Sequence, residues 1–237
     1  MVIVSELLPK ACIAQLRAYG FETIPLPADP RLPRPVASHP DMLLFLSDQT
    51  LITDQTYFRD FARTQIEYIC RKANLSLQLT DEPPAHQYPS DIRFNAARVG
   101  THLFTHPTHT SPAVLSLARQ HHWNIISTKQ GYARCSVCPI SDHALITSDP
   151  SIASSAKQNG LDVCEIHQGH ISLPGYSYGF IGGCCGITNH LLFFSGSIDL
   201  HPDRDQMISF MRDHAITPIS LSDEPLFDAG SLFFVKS

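Results

Sequence analysis

Apolar residues fall along this chain in short runs, and five of the runs end in a hydroxyl: Val2-Ile3-Val4-Ser5, Leu51-Ile52-Thr53, Leu103-Phe104-Thr105, Leu145-Ile146-Thr147 and Leu192-Phe193-Phe194-Ser195. Each run is too short for a helix and rich in strand formers, so it reads as a strand. Successive hydroxyl residues lie 48, 52, 42 and 48 positions apart, and 47 positions separate Ser195 from Ser5 when the chain is followed through its C-terminus to its start. A fixed period of this size is the mark of a repeat architecture. Because the spacings account for the whole chain, the pattern predicts a closed ring of five rather than an open solenoid.

Inside each repeat the marker strand leads into a helical pattern, predicted over 9–19, 55–71, 111–122, 150–159 and 203–214. Asp149-Pro150 supplies an N-cap followed by proline at the first helical position, and Pro202-Asp203 reads as a similar start. Gly20 and Gly160 sit where a left-handed residue would end a helix. A second short strand follows each helix, at 22–26, 75–79, 124–127, 162–166 and 217–221. A further one precedes each marker, at 42–46, 92–99, 134–140, 180–187 and 231–235. The unit is therefore ββαβ. The fifth takes its first strand from the C-terminus and the rest from residues 2–26, which stitches the termini together and removes two exposed edges.

A content of 43% hydrophobic residues is enough to give a chain of 237 a sizeable core. The Pro-rich stretch 25–40 lies between strand-like runs of one repeat and reads as a stiff loop, so 1–237 is expected to form a single domain. A formal charge of −5 argues against a nonspecific nucleic-acid surface or an anionic membrane as partner. Neither a leader-like N-terminus nor an apolar run near 18 residues is present, so a cytoplasmic location is expected, with the seven cysteines as thiols.

A ring of five ββαβ units resembles the pentein arrangement, the fold of the guanidino-group-modifying enzymes: arginine deiminases, amidinotransferases and dimethylarginine hydrolases. Asp228-Ala229-Gly230-Ser231-Leu232 resembles the acidic-Gly-Gly-Asp-apolar turn and strand of those enzymes, and Gly182-Gly183 before a strand is a second such turn. The segments 131–136, 173–183 and 221–226 are similar to a branch of the fold with no assigned reaction. The resemblance implies an α/β pentein: five ββαβ units in a closed pseudo-fivefold propeller, the fifth completed by both termini. It also implies a small-molecule site in the central channel.

Catalytic penteins attack a guanidinium carbon with a cysteine thiolate, move protons with a histidine and hold the cation with carboxylates. Those residue types suit the chemistry because a thiolate is a strong nucleophile near neutral pH and an amine must leave protonated. In those enzymes the nucleophile lies in the last unit, but residues 223–237 contain no cysteine. Any chemistry must use another unit. On the first strands and the turns entering them, Cys135 is the candidate nucleophile, with His39 or His170 as proton carrier. Asp41, Asp91, Asn95, Tyr132, Tyr178, Gly182, Gly183, Cys184 and Asp228 are candidates for substrate binding. The loop 174–183, with Tyr176, Tyr178 and Phe180, reads as a rim whose aromatic faces suit a guanidinium. His39-Pro40-Asp41 and His201-Pro202-Asp203 each set an imidazole beside a carboxylate; turn and capping chemistry is the alternative for both, and the better one for Asp203 because a helix follows.

Cys135-x-x-Cys138 with Cys184-Cys185 offers four thiols, but in extended strands odd separations and adjacent positions send side chains to opposite faces. Neither a metal nor a cofactor is expected. Two functions fit the sequence: a hydrolase or transferase acting on a guanidine or amidine, or a non-catalytic binder of a ligand or protein, as the ribosome-associated members of the fold are. The first needs Cys135 to open on the channel with an imidazole and a carboxylate near it. The second expects that space to be filled by apolar side chains.

Overall fold

The computed structural model describes residues 1–47, 49–82 and 87–236. Among the described residues fifteen strands form five separate three-stranded sheets, each holding one marker run at its centre. In the first, β1 (Val2–Ser5) pairs in parallel with β2 (Thr23–Leu26) across helix α1 (Lys10–Ala18). A one-turn helix, α2 (Pro40–Leu43), opens the next unit. There β3 (Leu44–Leu46) and β4 (Thr50–Asp54) are antiparallel. Then α3 (Gln55–Tyr57) runs through a π-helical turn, Phe58–Ala62, into α4 (Arg63–Ala73) and back to β5 (Ser76–Thr80).

The plan repeats in β6 (Ala97–Val99), β7 (His102–Thr105), α5 (Pro112–Gln120) and β8 (Asn124–Ser127). A second one-turn helix, α6 (Ala133–Ser136), leads into β9 (Cys138–Ser141), β10 (Ala144–Thr147), α7 (Pro150–Gln158) and β11 (Asp162–Glu165). After a 3₁₀ turn, Gly182–Cys184, come β12 (Cys185–Thr188), β13 (Leu191–Phe194), α8 (Arg204–Asp213) and β14 (Thr217–Ser220). The last strand, β15 (Phe233–Phe234), returns antiparallel to β1, so residues from both ends of the chain complete one sheet. In every unit the hairpin pair is antiparallel and the pair joined through a helix is parallel, as connection length requires.

Five apolar clusters each bridge two sheets. Ile3 and Leu26 pack with Leu44 and Leu51; Phe45 and Ile52 with Phe94 and Leu103; Phe104 and Ala97 with Leu145; Ile146 and Cys138 with Leu192 and Phe194; and Phe193 with Val2 and Val4. Residues of all five first strands line one cavity of about 630 Å³.

The hydroxyl markers have a structural cause. All five are buried at or just beyond the end of a central strand, where a polar group needs a partner. Thr53 Oγ1 donates to the Leu43 carbonyl at 2.8 Å and Thr147 Oγ1 to that of Ser136 at 2.8 Å; Ser195 Oγ lies 3.1 Å from that of Cys184 and also meets the Phe227 carbonyl, so its one proton serves one of the two at a time. The Leu43, Ser136 and Cys184 carbonyls each close the short helical turn before a first strand. The marker therefore latches that turn to the sheet. Ser5 and Thr105 instead pair with the hydroxyls of Ser38 and Thr110.

Helices and outer strands lie within two residues of their predicted limits, and Gly20 (φ 84°) and Gly160 (φ 77°) are left-handed. The first strands start later than predicted. Residues 40–43, 133–136 and 182–184 are helical turns, and 92–96 precedes β6 without strand pairing. Cys135 therefore lies in a helix turn, not in the strand with Cys138. Asp203 sits at the N-cap position of α8 but makes no side-chain cap; its carboxylate takes the His167 N–H at 2.6 Å and His167 Nδ1 at 2.8 Å. No described helix is long and apolar enough to cross a membrane.

Candidate active site

The turns that enter the first strands meet below a cavity of about 280 Å³. Cys135, His39, Asp228, Tyr132, Tyr176, Tyr178 and Phe180 line it, with Val36, Met42 and Leu173 as apolar wall. Cys135 comes from α6, His39 from the residue before α2, and Asp228 from the loop before β15. Chain segments far apart in sequence thus deliver one thiol, one imidazole and one carboxylate to the same space.

The thiol is held from two sides. Cys135 Sγ donates to Asp41 Oδ2 at 3.3 Å and accepts from Asn95 Nδ2 at 3.1 Å. Asn95 also takes the Arg134 and Cys135 N–H groups on Oδ1, at 2.7 and 3.3 Å, and donates to the Asp41 carbonyl at 3.2 Å. One buried amide therefore ties α2 to α6 and fixes the sulfur. Asp41 Oδ2 is also 2.8 Å from Ser231 Oγ, which lies 3.0 Å from the Gly182 carbonyl. A hydroxyl has one proton to give, so Ser231 can donate to only one of the two at a time. Asp41 Oδ1 has no hydrogen-bond partner among the described residues.

Asp228 accepts the Phe180 N–H on Oδ2 at 2.9 Å and the Gly230 N–H on Oδ1 at 3.1 Å, and His39 Nδ1 lies 3.8 Å from Oδ1. Such close packing depends on missing side chains. A Cβ on Gly183 would stand 2.0 Å from Asp228 Oδ1, and one on Gly230 (φ 72°) would stand 2.2 Å from the His39 Cβ.

Burial sets the protonation states. It pushes the Cys135 thiol well above the usual range, and the nearby Asp41 and Asp228 carboxylates push it the same way. Burial raises Asp41 too, against the opposing pull of His39. Asp228 is raised to about 6, burial outweighing its two backbone N–H bonds, and His39 is lowered to about 4, burial outweighing the attraction of Asp41. At neutral pH the resting site therefore holds a protonated thiol, a neutral imidazole and at least one buried carboxylate. It lacks a cation facing the cavity: the Arg134 guanidinium turns away, donating to the Val137 and Gly182 carbonyls over the Phe233 ring.

A family model described as a family of unknown function (DUF6873) matches residues 3–233. The chain belongs to this family. No curated protein matches its sequence. Among solved structures, DDAH from Pseudomonas aeruginosa, in a cysteine-to-serine form complexed with citrulline, aligns over 93% of this DUF6873 chain and 91% of its own, with a TM-score of 0.57 and 11% identity. A dimethylarginine dimethylaminohydrolase adduct with S-methyl-L-thiocitrulline gives 0.57 and 12%, over 93% and 92% of the two chains. SxtG, an amidinotransferase from Microseira wollei in the saxitoxin biosynthetic pathway, gives 0.58 and 12%, over 94% and 78%. The DUF6873 chain thus has the pentein fold.

The structure gathers some of the predicted site residues of this DUF6873 chain and disperses others. Cys135, His39, Tyr132, Tyr178 and Asp228 line the cavity, while Asp41 and Asn95 lie behind Cys135. Asp91 stands behind the wall and accepts the Tyr132 hydroxyl at 2.7 Å. Gly182, Gly183 and Cys184 are corrected from lining to support: all are buried, a Cβ on Gly182 would meet the Arg134 and Val137 carbonyls at 2.3 Å, and the Cys184 thiol donates to the Ile181 carbonyl. His170 is also corrected. It is exposed, lies outside the cavity lining and packs edge-on against His201 at 5.5 Å.

Sequence reasoning missed Ser231 as a partner of Asp41, although the turn that carries it stood out. Val36, Met42 and Leu173 had no signal beyond being apolar. The Cys185 thiol donates to the Gly182 carbonyl at 3.6 Å. Among the described residues no group of three metal-ligating side chains converges.

Proposed function

We propose that this protein acts on a small guanidine or amidine as a cysteine-dependent hydrolase or transferase, with Cys135 as nucleophile. The observation that carries the reading is the Cys135–Asp41 contact beside a cavity that His39 and Asp228 also line. A guanidinium seated against Asp228 supplies the missing positive charge. An adjacent cation favours the thiolate, so binding draws the Cys135 pKa down from its resting value. The thiol proton passes to Asp41, sulfur adds to the guanidinium carbon, and the carbon–nitrogen bond breaks as the leaving amine takes a proton from the acid so formed. Water, deprotonated by neutral His39, then displaces the sulfur and leaves a urea; in a transferase a second amine takes the place of water.

The same reading includes closure of the five sheets into a ring over residues 1–237, supported by the five clusters that bridge the sheets in cyclic order. A direct test incubates the protein with a panel of alkylguanidines and alkylamidines and follows release of ammonia or amine, with Cys135→Ser as control. Turnover that the control loses supports the enzyme. Its absence across the panel, with Cys135 inert to iodoacetamide up to pH 10, removes it.

One observation favours the second reading, a non-catalytic ligand binder: at rest the thiol is held protonated by burial and by two carboxylates. In that case Cys135→Ala retains ligand binding with no loss of affinity.

A further inference from the structure

Aromatic and apolar side chains line most of the cavity, and the one carboxylate among its described lining residues is that of Asp228. Around it, Asp228 faces in, Asp41 stands one side chain behind Cys135, and Asp91 stands behind Tyr132. No lysine or arginine lines it among the described residues. Arg134, the guanidinium nearest these carboxylates, is committed to two backbone carbonyls and lines the separate 630 Å³ cavity on the other side of α6. The rim cannot supply the missing charge either: Tyr176, Ser177 and Tyr178 offer hydroxyls and ring faces only.

An amino-acid substrate carries a carboxylate on the end of its tail. Drawn into the cavity behind its guanidinium, that group would meet apolar side chains and aromatic rings, with no lysine or arginine among the described lining residues to receive it. A burial of that kind is costly. A tail made of methylene or aryl groups meets Leu173, Val36, Met42 and the ring faces of Tyr132 and Phe180 instead, which stack at 6.2 Å. Aromatic faces also attract the cation itself.

We infer that the site selects a carboxylate-free cation: a small guanidine or amidine whose tail is apolar, with discrimination against amino-acid guanidines exerted by the cavity wall. The inference rests on the guanidine reading above and adds the other half of the ligand to it.

Titration calorimetry with n-butylguanidine and 4-guanidinobutyrate, which share the cation and differ in the tail, tests it on the full chain at neutral pH. Butylguanidine is expected to bind at least tenfold more tightly. Tyr176→Arg places a cation on a rim residue that is 47% exposed and so tolerates exchange; it is expected to narrow the ratio at least fivefold. Equal binding of the two compounds, or preference for the carboxylate, overturns the inference and leaves the guanidine reading standing. Binding of neither compound by a folded protein overturns both. A ratio that Tyr176→Arg leaves unchanged places the discrimination elsewhere and also overturns it.

Discussion

Asp41 accepts the thiol proton of Cys135 across 94 positions of sequence, at 3.3 Å, with both residues buried. The contact makes the carboxylate both the base for the thiol and the charge that holds the thiol protonated. Asp41→Asn removes that charge. The pH midpoint for iodoacetamide labelling of Cys135 is expected to fall by about one unit or more, while Cys12 and Cys70 keep theirs. Turnover of any guanidine substrate falls with it. An unmoved midpoint would show that the two groups are not coupled. Peptide mass spectrometry on the native protein reads all three cysteines at once.

Asn95 carries more structure than its size suggests. Asn95→Ala strands the Arg134 and Cys135 N–H groups inside the protein, and each unpaired buried donor costs roughly 1–3 kcal/mol. A loss of about 2–4 kcal/mol in urea unfolding is expected. Asn95→Asp keeps the acceptor but replaces the amide donor to Cys135 Sγ, so it should restore part of the stability and none of the site's function.

His39 and Asp228 give opposite pH dependences in nearly the same window. His39 has its folded pKa lowered from 6.5 to about 4, so the unfolded chain binds more protons there and the stability it permits is lost as pH falls through that range. Asp228 has its pKa raised from 3.8 to about 6, so its contribution is lost as pH rises through that range. The difference in melting temperature between the parent and His39→Gln should therefore move in the parent's favour from pH 4 to 6.5. The difference between the parent and Asp228→Asn should move against the parent from pH 4 to 6. Parallel curves for either pair would contradict the burial of that group.

Gly183→Ala drives a methyl to within 2.0 Å of Asp228 Oδ1 and should cost the protein both stability and ligand affinity. Gly160→Ala is the matched control. It meets nothing within 4 Å and carries only the cost of its left-handed backbone, about 1 kcal/mol, with ligand affinity unchanged. Equal effects of the two on affinity would remove Gly183 from the support of the site.

Much of this architecture can be read from the chain, for reasons that particular residues make clear. The five hydroxyls stand out because a buried polar group at a strand end must be one of few residue types. Helix ends were legible at Asp149, whose carboxylate takes the Ser151 and Ile152 N–H groups, and at Gly160. The starts of the first strands were not. Pro40 to Leu43 are all buried, as are Ala133, Cys135 and Ser136, and a run of buried residues in one helical turn looks the same in sequence as a run in a buried strand. In the site, residue type pointed to Cys135, Asp41 and Asn95, because thiols, acids and amides on these turns have few reasons to be there. Their pairing was invisible, since nothing local links position 41 to position 135. His170 lies beside His201 and outside the cavity lining, a placement that nothing in its local sequence shows.

The latch between Thr147 and the turn that carries Cys135 recurs at Thr53 for the turn that carries Asp41, and at Ser195 for Gly182–Cys184. What repeats is thus a mounting, and the fittings differ: an acid in one, a thiol in another, bare glycine in a third. A scaffold of interchangeable sockets frees a reactive group from any fixed ordinal place along the polypeptide. A tail without cysteine then carries little weight against chemistry in this chain, and comparison between distant relatives is better made socket by socket than from first residue to last.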